Sequence, residues 1–228
     1  MRHLPLLAIM LLLFAGCGAS AAGSPTATPT PRHPQQVALQ WQDPPAMTIS
    51  RHKRYVATVT TTDGTFAIEL LPRLAPMTVN NFVFLARHGF YNHNKFHRII
   101  QDFMIQTGDP TGTGSGGPGY EFNDEITPRY NLHYLPGTVA MANSGPNTDG
   151  SQFFVVTGTQ GASLKYAYTI FGYVSRGMNV VEKLAATPVG QNIATGETSE
   201  PLTPVYMRAV TIRVLPPLHR ALTKPPKH

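Results

Sequence analysis

Between Tyr55 and Val214 the apolar residues fall into short runs, among them "KFHRII", "FMIQTGD", "TVAMA", "QFFVVTG" and "YTIFGYV", separated by turn-rich stretches. Runs of this length suit strands better than helices. Pro and Gly are abundant, at 21 and 20, and charged residues make up only 13% of the chain. Together these features favour a β-rich domain with many turns over a helical bundle.

The individual elements follow the same logic. "YVATVTT" and "TFAIELL" flank "TDGT", which reads as a hairpin whose Gly64 suits a positive φ. In the second run Phe66, Ile68 and Leu70 share one face at a period of two. "APMTVNNFVFLARHG" reads as a helix, with Pro76 in its first turn and Gly89 just past its end. Val79, Phe82, Val83 and Ala86 form its apolar stripe. A second short helix is predicted in "GMNVVEKLAAT", stopped by Pro188, and "YMRAVTIRV" alternates as a last strand. Seven or eight strands with two separated helices predict a mainly β fold, a closed antiparallel barrel whose helices cover its open ends.

The N-terminal region reads differently. "MRHLPLLAIMLLLFAGC" has a basic start at Arg2 and an apolar core from Leu4 to Ala15, too short to span a bilayer comfortably. It reads as an export signal over residues 1–16. Cys17 is the single cysteine, so it has no intramolecular disulfide partner. Its setting after "LFAG" resembles a bacterial lipoprotein processing site, which would leave Cys17 as a lipid-modified first residue anchored to a membrane. The alternative is an ordinary secretory signal and a soluble product. The Ala-, Ser-, Thr- and Pro-rich stretch that follows predicts a flexible tether over residues 17–46. Trp41, before "DPP", either packs against the domain or ends the tether. The domain is expected over 47–215 and a disordered tail over 216–228.

Several chemistries are disfavoured. The net charge of +6 is dispersed apart from "RHKR" at 51–54 and the C-terminal tail, with no aromatic-interleaved stripe, which argues against nucleic acid as a partner. Gly112, Gly114, Gly116, Gly117 and Gly119 are not followed by "GK[ST]", so a phosphate-binding loop is disfavoured. His88, His93 and His97 are spaced across a helix end, a loop and a strand, a poor pattern for a metal. Ser151 lies in "NTDGSQFF", without a nucleophile elbow. "FHRIIQDFMIQTGD", residues 96–109, remains a puzzle: an apolar run that carries Arg98 and Gln106. A buried guanidinium costs several kcal/mol unless paired, so these groups either face water or are held for a task.

Three strings supply a candidate task. "FHRIIQDFMIQTGD", "GTGSGGPGYEFNDE" and "MANSGPNTDGSQFF" resemble the cyclophilin-type peptidyl-prolyl isomerases, and "YTIFGYV" and "GMNVVEKL" follow in the family's order. The likeness runs from about Tyr55 to Val214. It implies a closed eight-stranded antiparallel barrel capped by two α-helices and an isomerase that turns Xaa–Pro peptide bonds without metal, nucleotide or other cofactor. By resemblance, Arg98 is the catalytic cation and Gln106 orients it. Phe103, Met104, Phe154 and Leu164 line a proline pocket. Asn143 fixes the substrate backbone through its own main chain, with Ala142 beside it, and Gln152 adds a further polar contact. Tyr168 stands where many members have a pocket histidine, and Ser163 where they have a tryptophan that helps bind cyclosporin, so weak cyclosporin affinity is expected. The implied protein is a monomer acting on proline-containing polypeptides outside the cytoplasm, held to a membrane through Cys17. A non-catalytic module that binds proline segments in the same groove is the alternative.

Overall fold

The computed structural model describes residues 39–126 and 133–217. The expected signal, Cys17, most of the tether and nearly all of the tail lie outside the described residues. Strand β1 (Arg54–Thr61) and β2 (Thr65–Leu70) pair antiparallel from Tyr55↔Leu70 to Thr60↔Thr65. Gly64 closes their turn at φ 137°, a conformation that favours a residue without Cβ. Helix α1 (Pro76–Arg87) starts on its proline and buries Val79, Phe82, Val83 and Ala86, the stripe predicted from spacing.

Strands β3 (Asn94–Lys95), β4 (Arg98–Ile100), β5 (Met104–Thr107), β6 (Thr138–Met141), β7 (Phe153–Val156) and β8 (Ile170–Arg176) follow. Next come α2 (Met178–Ala185), the hairpin β9 (Val189–Gln191) and β10 (Thr198–Pro201), and the long β11 (Tyr206–Leu215). Among the described residues nine strands form one sheet in the order β3-β11-β1-β2-β8-β6-β7-β5-β4, and β9–β10 stands as a separate two-stranded sheet.

The mainly β architecture and both helices agree with the sequence reading; the closed eight-stranded barrel does not. The sheet is a curled half-barrel, with β3 and β4 at its two ends and no ladder between them among the described residues. "KFHRII", expected as one strand, changes partner midway. Lys95 pairs with Tyr206 of β11, whereas Arg98 pairs with Gln106 of β5. Between them the amide of Phe96 donates to the Val205 carbonyl at 3.0 Å, outside either ladder.

Two apolar clusters lie on opposite faces of the β5–β7–β6–β8 portion. Ile105, Val155, Val139, Phe153 and Phe171 join Phe66, Ile68 and Phe82 in the main core. On the other face Met104, Phe154, Val156, Ala140 and Ile170 pack with Tyr134. Strands buried on both faces explain why "FMIQTGD" and "QFFVVTG" read as nearly unbroken apolar runs.

Trp41 packs edge-on against Phe84 of α1, with ring centroids 5.1 Å apart, and its amide donates to the Pro118 carbonyl at 2.8 Å. The Asn80 side chain bonds the Pro45 and Ala46 carbonyls at 3.2 and 3.0 Å. Packing on the domain therefore begins before the expected boundary at residue 47.

Candidate active site

Antiparallel register explains the two polar residues in the apolar run. Arg98 pairs with Gln106, Gln106 with Phe154, and Phe154 with Ala140, one row across β4, β5, β7 and β6. Directly paired residues point to the same side of a sheet, so this row lies on the face away from the main core. Arg98 is 33% exposed there, so its charge keeps contact with water.

Arg98, Gln106 and Phe154 of this row form one wall of a cavity of about 140 Å³. Arg98 and Gln106 stand on its polar side; Phe103, Met104, Phe154 and Leu164 supply its apolar surface. Tyr168, Ala142 and Asn143 complete the lining. Tyr168 meets Phe154 edge-on, with centroids 5.5 Å apart. The backbone of Tyr168 is fixed at both ends: its amide donates to the Tyr134 hydroxyl at 2.9 Å, and that hydroxyl donates to its carbonyl at 2.8 Å. Burial raises the Tyr134 phenol to about 12, so the strut stays neutral. Ser163 is exposed at the end of the 3-10 turn Thr159–Ser163 and does not line the cavity.

Nine of the ten sequence-derived binding and catalytic residues thus meet in this cavity. Gln152 does not line it. It lines an adjoining groove of about 580 Å³ that shares Gln106, Ala142 and Asn143 and is walled by Gly114–Gly117. Gln152 nevertheless reaches the site through hydrogen bonds. Its Nε2 donates to the carbonyls of Gly114 and Gly116, both at 2.9 Å, and its Oε1 accepts from Gln106 Nε2 at 3.0 Å. Gln106 Oε1 in turn accepts from Arg98 Nη1 at 3.4 Å. The Asn143 side chain is spent inside the protein, donating to Asp124 and the Ala167 carbonyl. Cys17 lies outside the described residues.

Three carboxylates near the site had not been assigned from sequence. Glu197, on the turn between β9 and β10, takes Arg98 Nε at 2.6 Å and Nη2 at 2.8 Å. The Arg98 hydrogen bond holds its carboxyl below the ordinary range. No local pattern announces a partner 99 residues away. Buried Asp109 organises the glycine-rich loop. Its Oδ1 accepts from the Thr111 amide and hydroxyl, each at 2.7 Å, and its Oδ2 from the amides of Thr113, Gly114 and Gly116 at 3.1, 2.7 and 3.0 Å. Burial opposes the Asp109 charge, but bonds from Thr111, Gly116 and Gly114 outweigh it and lower the pKa. This one was readable, since an aspartate heading a Gly/Thr-rich run is a turn signal.

The third, Asp149, is fully buried and accepts from the Thr169 hydroxyl at 2.8 Å. Burial foremost, with nearby Asp124, raises it to about 7. Among the described residues no three His, Cys, Asp or Glu side chains converge as a metal site.

Comparison with known proteins decides the family. Residues 55–212 match the family model "Cyclophilin type peptidyl-prolyl cis-trans isomerase/CLD". The chain belongs to the cyclophilin-type peptidyl-prolyl cis-trans isomerases, an enzyme family. It is 50% identical over 133 residues to peptidyl-prolyl cis-trans isomerase-like 1 of Neurospora crassa, covering 57% of this chain and 80% of that protein. To the human isomerase-like 3 it is 42% identical over 162 residues, or 70% of this chain and 96% of that one. A crystal structure of a Cryptosporidium parvum cyclophilin aligns at 33% identity with a TM-score of 0.63, covering 70% of this chain and 98% of its own. A second structure of that cyclophilin, in the presence of the dipeptide Ala-Pro, aligns with a TM-score of 0.62 over 69% of this cyclophilin and 98% of that one.

Proposed function

We propose that this cyclophilin accelerates rotation about Xaa–Pro bonds in exported proteins, with Arg98 stabilising the twisted transition state. Resonance imposes a barrier of about 18–20 kcal/mol on the prolyl bond. At the twist the nitrogen loses conjugation and gains an available lone pair. A fixed N–H donor beside that nitrogen interacts weakly with the planar form and strongly with the twisted one, the difference that accelerates a reaction. The observation that carries this reading is Arg98 Nη1 beside Gln106 Oε1 and Met104 Sδ in the wall of the apolar cavity.

One donor is not sufficient. An acceleration of about 10⁵ requires roughly 7 kcal/mol, and a hydrogen bond to a charged group contributes about 1.5–3 kcal/mol. The rest falls to the apolar cup of Phe103, Met104, Phe154 and Leu164, which grips the ring while the acyl side turns. Gln106 keeps the guanidinium in place, Asn143 and Ala142 engage the substrate main chain, and Gln152 braces Gln106. The relative's structure in the presence of the dipeptide Ala-Pro supports a proline-containing substrate. The basic start, apolar core and small residues before Cys17 support a lipid-anchored protein outside the cytoplasm, at the cell surface or in a periplasm. Mass spectrometry of the mature N-terminus tests that assignment: acylated Cys17 supports it, and a chain that begins elsewhere sinks it.

A protease-coupled proline-peptide assay tests the isomerase reading. Arg98→Ala is expected to lose about 10- to 150-fold in turnover, the equivalent of one charged hydrogen bond, while peptide affinity stays near wild type. Equal turnover in the two proteins refutes the role of Arg98. Wild-type binding without turnover favours a non-catalytic proline-segment binder.

A further inference from the structure

The guanidinium of Arg98 carries three nitrogens, and the fold uses them differently. Nε and Nη2 lie 2.6 and 2.8 Å from the two oxygens of Glu197, a fork-to-fork pair. Nη1 has a long 3.4 Å bond to Gln106 and a 3.8 Å contact with Met104 sulfur, both cavity-lining residues. Resting on the isomerase reading above, we infer that Glu197 is a positioning residue for catalysis, which locks two nitrogens of Arg98 so that the third faces the prolyl nitrogen.

The base that carries Glu197 is well built for this. The Asn192 amide donates to the Glu197 carbonyl at 2.7 Å, and Asn192 Oδ1 accepts from the amides of Ala194 and Thr195 at 2.9 and 3.2 Å. Gly196 sits at φ 73°, where a side chain would be strained. A second ion pair, Lys95 Nζ to Glu200 Oε1 at 3.0 Å, fastens the same hairpin to β3. Two cations three positions apart thus meet two carboxylates three positions apart, which sets the hairpin against the 95–98 segment.

A partner carboxylate also weakens the positive field in the cavity. That loss is secondary, because the twisted imide nitrogen is uncharged and calls for a directed donor more than a distant charge. An arginine free to move about its several side-chain torsions would have to be ordered in the transition state; here it is ordered beforehand.

The test is a double-mutant cycle in the full chain, with kcat and KM measured on a proline peptide at high enzyme concentration. Glu197→Ala is expected to lower kcat roughly tenfold with KM within about twofold, an effect confined to the transition state. Glu197→Gln, which keeps the shape and one acceptor, is expected to recover part of that loss. In the Arg98→Ala background the loss on adding Glu197→Ala is expected to disappear, because the carboxylate acts only through the arginine. Equal losses in both backgrounds, a change in KM alone, or wild-type kcat in Glu197→Ala overturns the inference. If Arg98→Ala itself turns over normally, the isomerase mechanism fails first and independently.

Discussion

Asp109→Asn removes one charge from the centre of the glycine-rich loop, and its cost can be worked from the five short contacts of the carboxylate. The amide group is best placed at the Oδ1 position, where the Thr111 hydroxyl can reverse and accept from it. The Thr111 amide is then left without its 2.7 Å acceptor. Three amide donors, from Thr113, Gly114 and Gly116, keep an oxygen but lose its charge. One orphaned donor costs about 1–3 kcal/mol and each weakened bond about 1 kcal/mol, before relief from water at this partly exposed loop. The expected destabilisation is about 2–4 kcal/mol, or roughly 1–2 M in the urea midpoint for a domain of this size.

The loss should extend to catalysis, because Gln152 is anchored on the Gly114 and Gly116 carbonyls and itself braces Gln106. Urea unfolding and the proline-peptide assay are run on both proteins. The pH dependence adds a signed check. The folded Asp109 carboxyl is more acidic than its ordinary 3.8, so its stabilisation is present above that value and disappears as pH falls through the folded pKa. Asp109→Asn should lack that acid-side loss. An unchanged urea midpoint together with unchanged kcat/KM would refute the view that this carboxylate organises the loop and its link to Arg98.

Asp149 has the opposite sign. Its carboxyl is raised from 3.8 to about 7, so the folded state holds a proton that the unfolded chain has released between those values. Stability should fall as pH rises from about 4 to about 7, and Asp149→Asn should flatten that slope in thermal melts; an identical slope in the variant would contradict the assignment. Trp41→Ala removes an edge-on contact with Phe84 at 5.1 Å and a tilted one with Phe90 at 6.0 Å. A loss of about 1–3 kcal/mol is expected by chemical denaturation, and an unchanged midpoint would mean that Trp41 adds nothing to the fold.

What could be read from the sequence follows interaction range. The β1–β2 hairpin, α1 and α2 are specified by spacing and turn residues within a dozen positions, and they appear where those signals put them. The cavity residues other than Leu164 were legible because the matched strings carry them, though periodicity alone would have left Phe103, Met104 and Phe154 as ordinary core. Glu197 was not legible, because its pairing with Arg98 depends on a hairpin docking from the far end of the chain. The closed barrel failed for a related reason: local alternation makes "KFHRII" one strand, but tertiary pairing hands its halves to β11 and β5. Trp41 stood open between two readings because a lone aromatic before "DPP" has no periodicity to reveal what it touches.

The row Arg98–Gln106–Phe154–Ala140 ties chemistry to alignment. A slip of β5 by one residue would turn Ile105 toward the guanidinium and drive the Gln106 amide into the oily interior, so, on the role proposed for Arg98, the same error would cut turnover and spoil the hydrophobic centre at once. On that proposal, specific activity in a refolded preparation tracks the fraction of molecules whose strands have found their proper alignment.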